Sequence, residues 1–112
     1  MKKASLTENL IYGITKPSIE VMIETETSKE IRIIFKQQQQ MKEHKTPFPI
    51  VVEVFKGRID FGVQGVKNTL DAGDVIALAG GIPHDLTALE DSIIRLSLSK
   101  KDSVARVREI ES

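Results

Sequence analysis

Two histidines, His44 and His84, are the only imidazole side chains in the sequence of 112 residues. Imidazole can bind transition metals, transfer protons near neutral pH and hydrogen-bond small ligands. The sequence contains no cysteine, which excludes disulfides, thiolate metal sites and cysteine nucleophiles. No Ser-His-Asp arrangement suggests nucleophilic catalysis, and no glycine-rich phosphate loop precedes a predicted helix. The candidate chemistry is therefore that of the two histidines.

Alternation of apolar and polar residues predicts the elements that must position these histidines. The alternation has a period of two over residues 20–25, 31–35, 50–55, 59–63 and 94–99, and a short apolar run lies at 75–78. One buried face and one exposed face, repeated this often, are typical of an antiparallel sandwich or barrel. Gly57, Gly65 and Gly73 fall at predicted tight turns between these strands.

Helical signals occur only near the two ends of the sequence. Thr7 is a candidate N-cap for a short turn that ends at Gly13. Asp102 is a candidate N-cap for a final segment that reaches Ile110 and has apolar residues at helical spacing. The length suits one compact domain rather than two, and we therefore predict a single domain over residues 1–112.

Two stretches of the sequence resemble the motifs of the cupin superfamily. Residues 43–57 (EHKTPFPIVVEVFKG) resemble the first motif, and residues 73–84 (GDVIALAGGIPH) resemble the second. The Gly-Asp start and Ile-Pro-His end of the second motif are fairly specific as a pair. The resemblance implies an all-β fold, a small antiparallel jelly-roll barrel (a double-stranded β-helix) of eight or more strands. Its core would span about 20–99, with an N-terminal arm at 1–19 and a C-terminal tail at 100–112.

The same resemblance implies a metal held by two histidines and a glutamate from the first motif and one histidine from the second. Carried over position by position, the first and last histidines fall on His44 and His84. The second histidine falls on Thr46 and the glutamate on Ile50, so two of the four expected ligands are missing. Positions 44, 46 and 50 have even spacing and would share one face of a single strand.

We therefore predict one ligand pocket lined by His44, Thr46, Phe48, Ile50 and His84, with Phe48 near its mouth. The first interpretation is a module that binds or senses a small polar molecule, such as a sugar or a carboxylic acid. The second is a metal-dependent isomerase or oxygenase in which His44 and His84 hold a divalent ion (Zn, Fe, Ni or Mn). The third is an interaction domain without a small ligand.

Composition also bears on partners and location. Acidic and basic residues cancel at 16 each, and aromatic residues make up only 4% of the chain, so nucleic acid is not an expected partner. No stretch approaches the roughly 20 apolar residues of a membrane span, and cytoplasm is the default location. Because open barrel edges are usually covered, we expect a homodimer in which the N-terminal segment or the tail packs on a neighbour.

Overall fold

The computed structural model describes residues 1–100, and nine strands occur in this range. They are β1 (Ser18–Glu24), β2 (Ser28–Phe35), β3 (Gln40–His44), β4 (Ile50–Lys56), β5 (Arg58–Val63), β6 (Val66–Asp71), β7 (Val75–Leu78), β8 (His84–Ala88) and β9 (Ser92–Ser99). A five-stranded sheet has the order β1-β2-β9-β4-β7, and a four-stranded sheet has the order β3-β8-β5-β6. All neighbouring strands are antiparallel. The predicted all-β antiparallel architecture is confirmed.

The core lies between the two sheets and follows the alternation seen in the sequence. In β4, Ile50, Val52 and Val54 are each at most 4% exposed, and Ile59 and Phe61 of β5 are equally buried. Residues two apart on a strand face the same side, so each strand contributes one apolar row to the space between the sheets. The strands that showed clear alternation therefore supply most of the core.

Three strands, β3, β6 and β8, were not among those predicted from alternation. Of these, β3 and β6 lie at the two edges of the four-stranded sheet. Most of their residues are exposed or half-buried, so no apolar row was required on them. Between β5 and β6, Gln64 and Gly65 both have positive φ (52° and 79°). This backbone is that of the two-residue hairpin predicted there, whose twist matches that of the flanking strands.

The outer face of β2 is covered by the N-terminal arm. Arg32 points to this face and is only 1% exposed. Its guanidinium donates to the backbone carbonyls of Ser5, Leu6, Glu8 and Asn9 and to the carboxylate of Glu20. The arm therefore packs on its own sheet through one buried cation.

The prediction of a short helical turn from Thr7 to Gly13 is wrong, because no helix occurs in the described part of the chain. The carbonyls of Ser5, Leu6, Glu8 and Asn9 accept hydrogen bonds from Arg32 instead of from backbone N–H groups four residues later. Similarly, the carbonyl of Gly13 accepts from Nε2 of Gln39. The predicted helix from Asp102 to Ile110 lies outside the described residues.

Candidate functional site

The two histidines form a cross-strand pair. β3 pairs with β8, and His44 lies directly opposite His84 in the register. Their ring centroids are 4.4 Å apart, and the ring planes are inclined by 62°. Antiparallel pairing thus brings two side chains that are distant in sequence into contact. Both line one cavity between the sheets.

A β-bulge aligns His44 with a second cavity residue, Met41. Met41 pairs with Leu86 and His44 with His84, so three steps along β3 match two steps along β8. Residues three apart on a regular strand point to opposite faces. The extra residue of the bulge restores a common side, and both Met41 and His44 line the cavity.

Each imidazole is oriented by a backbone carbonyl two residues earlier. The distance from His44 Nδ1 to Lys42 O is 2.7 Å, and that from His84 Nδ1 to Ile82 O is 3.0 Å. A carbonyl oxygen only accepts, so Nδ1 must carry the proton in both rings. In the neutral ring the lone pair then lies on Nε2. Neither Nε2 has a hydrogen-bond partner within residues 1–100.

The surroundings keep His84 neutral. Burial lowers the pKa of His84 below its ordinary value of 6.5, and the neighbouring His44 lowers this pKa further. The hydrogen bond to the Ile82 carbonyl opposes this effect without cancelling it. Phe61 stacks on the ring with a centroid distance of 5.5 Å and an angle of 14°. At neutral pH, His84 therefore offers a lone pair on Nε2 rather than a positive charge.

The cavity beside the two rings is small and mainly aliphatic. Its walls come from both sheets and include Ile33, Ile50, Leu86 and Leu96. The space open to the centres of water-sized molecules is about 40 Å³, where one water needs about 10–15 Å³. The cavity therefore has room for about three waters, or for a ligand of a few heavy atoms.

Comparison with known proteins gives matches only among solved structures. No protein-family pattern and no curated protein matches the sequence. An RmlC-like cupin protein from Desulfovibrio desulfuricans superposes with a TM-score of 0.82 at 22% identity, over 88% of this chain and 96% of that one. An RmlC-like cupin from Shewanella frigidimarina gives 0.74 at 20% identity, over 88% and 91%. KdgF from Halomonas gives 0.65 at 20% identity, over 72% and 76%.

The chain has the cupin fold. Identities at this level establish the fold and leave the chemistry to the residues of the site itself. Within residues 1–100, no helix is both long enough and apolar enough to cross a membrane.

Four of the five residues predicted for the cupin pocket line the cavity, namely His44, Thr46, Ile50 and His84. Phe48 does not: it is half-buried in the segment between β3 and β4 and lies outside the cavity lining. The prediction that positions 44, 46 and 50 share one strand was also wrong. His44 ends β3 in one sheet, Ile50 begins β4 in the other, and Thr46 lies in the loop that joins them.

The hydroxyl of Thr46 forms a hydrogen bond within that loop, so its proton is not available to a ligand. Its Oγ1 donates to the carbonyl of Phe48 at 2.8 Å. Its own carbonyl accepts from the backbone N–H of Gly81 at 2.6 Å, so the loop is tied to the segment before β8. Met41, by contrast, lines the cavity and was not among the predicted residues. Its odd spacing from His44 concealed it, because the sequence carries no sign of the bulge.

The donors present do not fit the four-ligand metal centre that the cupin motifs imply. Within residues 1–100, no three His, Cys, Asp or Glu side chains are grouped to hold a metal. Ile50 is aliphatic, and Glu53 accepts from Arg95 Nε at 2.9 Å instead. Zinc sites use about four nitrogen, oxygen or sulfur donors, and the iron facial triad needs a carboxylate. Two imidazoles do not meet either requirement.

Proposed function

We propose that this cupin binds a small ligand through the Nε2 lone pairs of His44 and His84. One observation carries the proposal: both Nδ1 atoms donate to backbone carbonyls, so two acceptors are left in an otherwise aliphatic cavity. Neither Nε2 atom is among the fully buried unpartnered atoms of the described chain, so both can be reached from the cavity. A ligand that donates to these atoms takes the place of water, and its apolar part contacts the walls.

The size of the cavity narrows the class of ligand. Space for about three waters accepts a short alcohol or amide more readily than a sugar ring. Such a molecule has one O–H or N–H group to donate to Nε2 and a short apolar part. Of the two ligand classes expected from the sequence, the sugar ring is too large for this space, and a carboxylic acid is ionised at neutral pH and has no O–H group to donate to Nε2.

The test is a panel of short alcohols, amides and carboxylic acids, measured by thermal shift and then by calorimetry. The informative variant is His84→Leu, which removes one acceptor but keeps an apolar wall. The matched control is Thr87→Val on the same strand, because Thr87 lies outside the cavity lining. At least one compound should stabilise the wild type and the control, and it should fail to stabilise His84→Leu.

The proposal would be contradicted if no compound of the panel stabilised the wild type. It would also be contradicted if His84→Leu bound the same compound as tightly as the wild type. No comparable observation favours a divalent-metal isomerase or oxygenase, because the ligand set is incomplete. The interaction domain also has no specific support. The expected homodimer, the expected lack of nucleic-acid and membrane partners and the cytoplasmic location stay predictions.

A further inference from the structure

We infer that His44 and His84 together bind the –NH2 group of a short primary amide, each Nε2 accepting one of its two N–H groups. This inference rests on the proposed function, since it uses the same cavity and the same two acceptors, and it names the class of ligand. It starts from the cross-strand pairing of the two histidines, which places their ring centroids 4.4 Å apart.

Two acceptors on rings this close can be reached from a single nitrogen atom. At hydrogen-bond distances of about 2.9–3.0 Å, the two acceptors of a planar –NH2 group lie about 5 Å apart, which is similar to the separation of the rings. The carbonyls of Lys42 and Ile82 accept from the two Nδ1 atoms, so Nε2 is the acceptor of each neutral ring. Burial lowers the pKa of His84, which keeps its Nε2 lone pair free of a proton at neutral pH.

Other small donors match this pair of acceptors less well. An alcohol has one O–H group and leaves one Nε2 without a partner. A water molecule has two donors, so an alcohol that displaces water from the pair loses one hydrogen bond, whereas –NH2 keeps both. A primary alkylamine is protonated at neutral pH. Its charge is unfavourable here, because no Asp or Glu of residues 1–100 lines the cavity.

The remaining parts of a primary amide also suit the cavity. Apart from the two histidines, the described side chains of the lining are apolar, except that of Thr46, whose hydroxyl donates to the Phe48 carbonyl. These walls accommodate an alkyl group and offer no donor to the amide oxygen. The lining residues of the edge strand β3, Met41 and His44, are half-buried, so the cavity borders solvent on this side. An amide oxygen that faces β3 keeps its hydrogen bonds to water.

The test compares three ligands of equal size by calorimetry. Propionamide and N-methylacetamide are isomers, but propionamide has two N–H groups and N-methylacetamide has one, while butanone has none. We expect propionamide to bind the wild type about fivefold or more tightly than N-methylacetamide does, which corresponds to one hydrogen bond. Butanone should bind more weakly than both.

Two variants and one spectroscopic measurement locate this preference. His44→Leu and His84→Leu each leave one acceptor, so the preference for propionamide should disappear in both. Thr87→Val is the matched control outside the cavity lining and should retain it. Nitrogen NMR of the wild type, labelled at the histidine nitrogens, needs no variant, and propionamide should shift the Nε2 resonances of both rings.

Equal affinity for propionamide and N-methylacetamide would overturn the inference, and so would a shift of only one Nε2 resonance. If short alcohols bind in a way that depends on His84 and propionamide does not bind, this inference fails and the proposed function stands. If neither alcohols nor amides bind, both fail.

Discussion

Arg32 and His84 are both buried polar side chains, and they differ in how completely their hydrogen-bonding groups are matched. Arg32 is 1% exposed and His84 is 4% exposed. Arg32 lies on the outer face of the five-stranded sheet, where four carbonyls and one carboxylate surround its guanidinium. His84 lies between the sheets, where Nδ1 has a partner and Nε2 has none among residues 1–100.

This difference separates a structural role from a binding role. Burying a charge is tolerated when its partners are supplied by the protein, and the partners of Arg32 are four backbone carbonyls of the arm that it holds and the carboxylate of Glu20. Only its Nε lacks a partner, and no other fully buried side-chain nitrogen or oxygen in the described chain does so. The two histidine Nε2 atoms therefore retain access to the cavity, where a ligand can reach them.

The largest effect should come from Arg32→Met. This variant keeps the apolar stem but removes every donor to the arm, so several carbonyls lose their partners together. We expect a loss of about 3 kcal/mol in the free energy of unfolding, measured by urea denaturation. The control is Arg58→Met, whose exposed ion pair with Asp71 should leave the urea midpoint unchanged. If Arg32→Met were as stable as wild type, Arg32 would not have the structural role that distinguishes it from His84.

A smaller effect is expected from Thr46→Val, because Thr46 also has its partner within the protein. The variant removes the hydrogen bond to the Phe48 carbonyl and should lower the free energy of unfolding by about 1 kcal/mol. Binding of short ligands should not change, since Thr46 is assigned no ligand contact. If calorimetry shows that binding is lost while the protein stays folded, the hydroxyl belongs to the ligand site.

His84→Leu should change stability by a similar amount at pH 8, because it loses one hydrogen bond, from Nδ1 to the Ile82 carbonyl. The ring is surrounded by Phe61 and by aliphatic residues, and its Nε2 has no protein partner to lose. We expect a free energy of unfolding within about 1.5 kcal/mol of wild type, together with loss of ligand binding. A loss of stability as large as that of Arg32→Met would show that His84 is primarily structural.

The smallest effect is on the pH dependence of stability. The pKa of His84 is lowered in the folded protein, so the unfolded chain binds more protons as the pH falls below about 6.5. The contribution of His84 is therefore fully present above that pH and decreases as the pH falls through the folded pKa. Urea denaturation from pH 8 to pH 5.5 should show wild type losing stability relative to His84→Leu. A constant difference between the two proteins would contradict the lowered pKa.

Much of this fold could be predicted from the sequence, because a strand with one buried face has apolar residues at every second position. The rows around Ile50 and Ile59 were readable, and so was the hairpin at Gly65, whose backbone requires positive φ. The edge strands β3 and β6 could not be predicted, because most of their residues are exposed or half-buried and their sequences therefore lack alternating apolar residues. The motif at 73–84 also indicated the place of His84, but not the edge strand opposite it.

The sequence by itself determined the all-β class, the two histidines as the candidate chemistry and the loss of two expected metal ligands at Thr46 and Ile50. The first two follow from residue type and local spacing, and the third is what the resemblance to the cupin motifs implies. Only the tertiary structure decided that Met41 joins the histidines and that Phe48 does not, because a bulge and a loop break the regular spacing of strands. The burial of Arg32 under the N-terminal arm was also decided by the tertiary structure. Four of its partners are backbone carbonyls, which every residue has, so the sequence does not identify them.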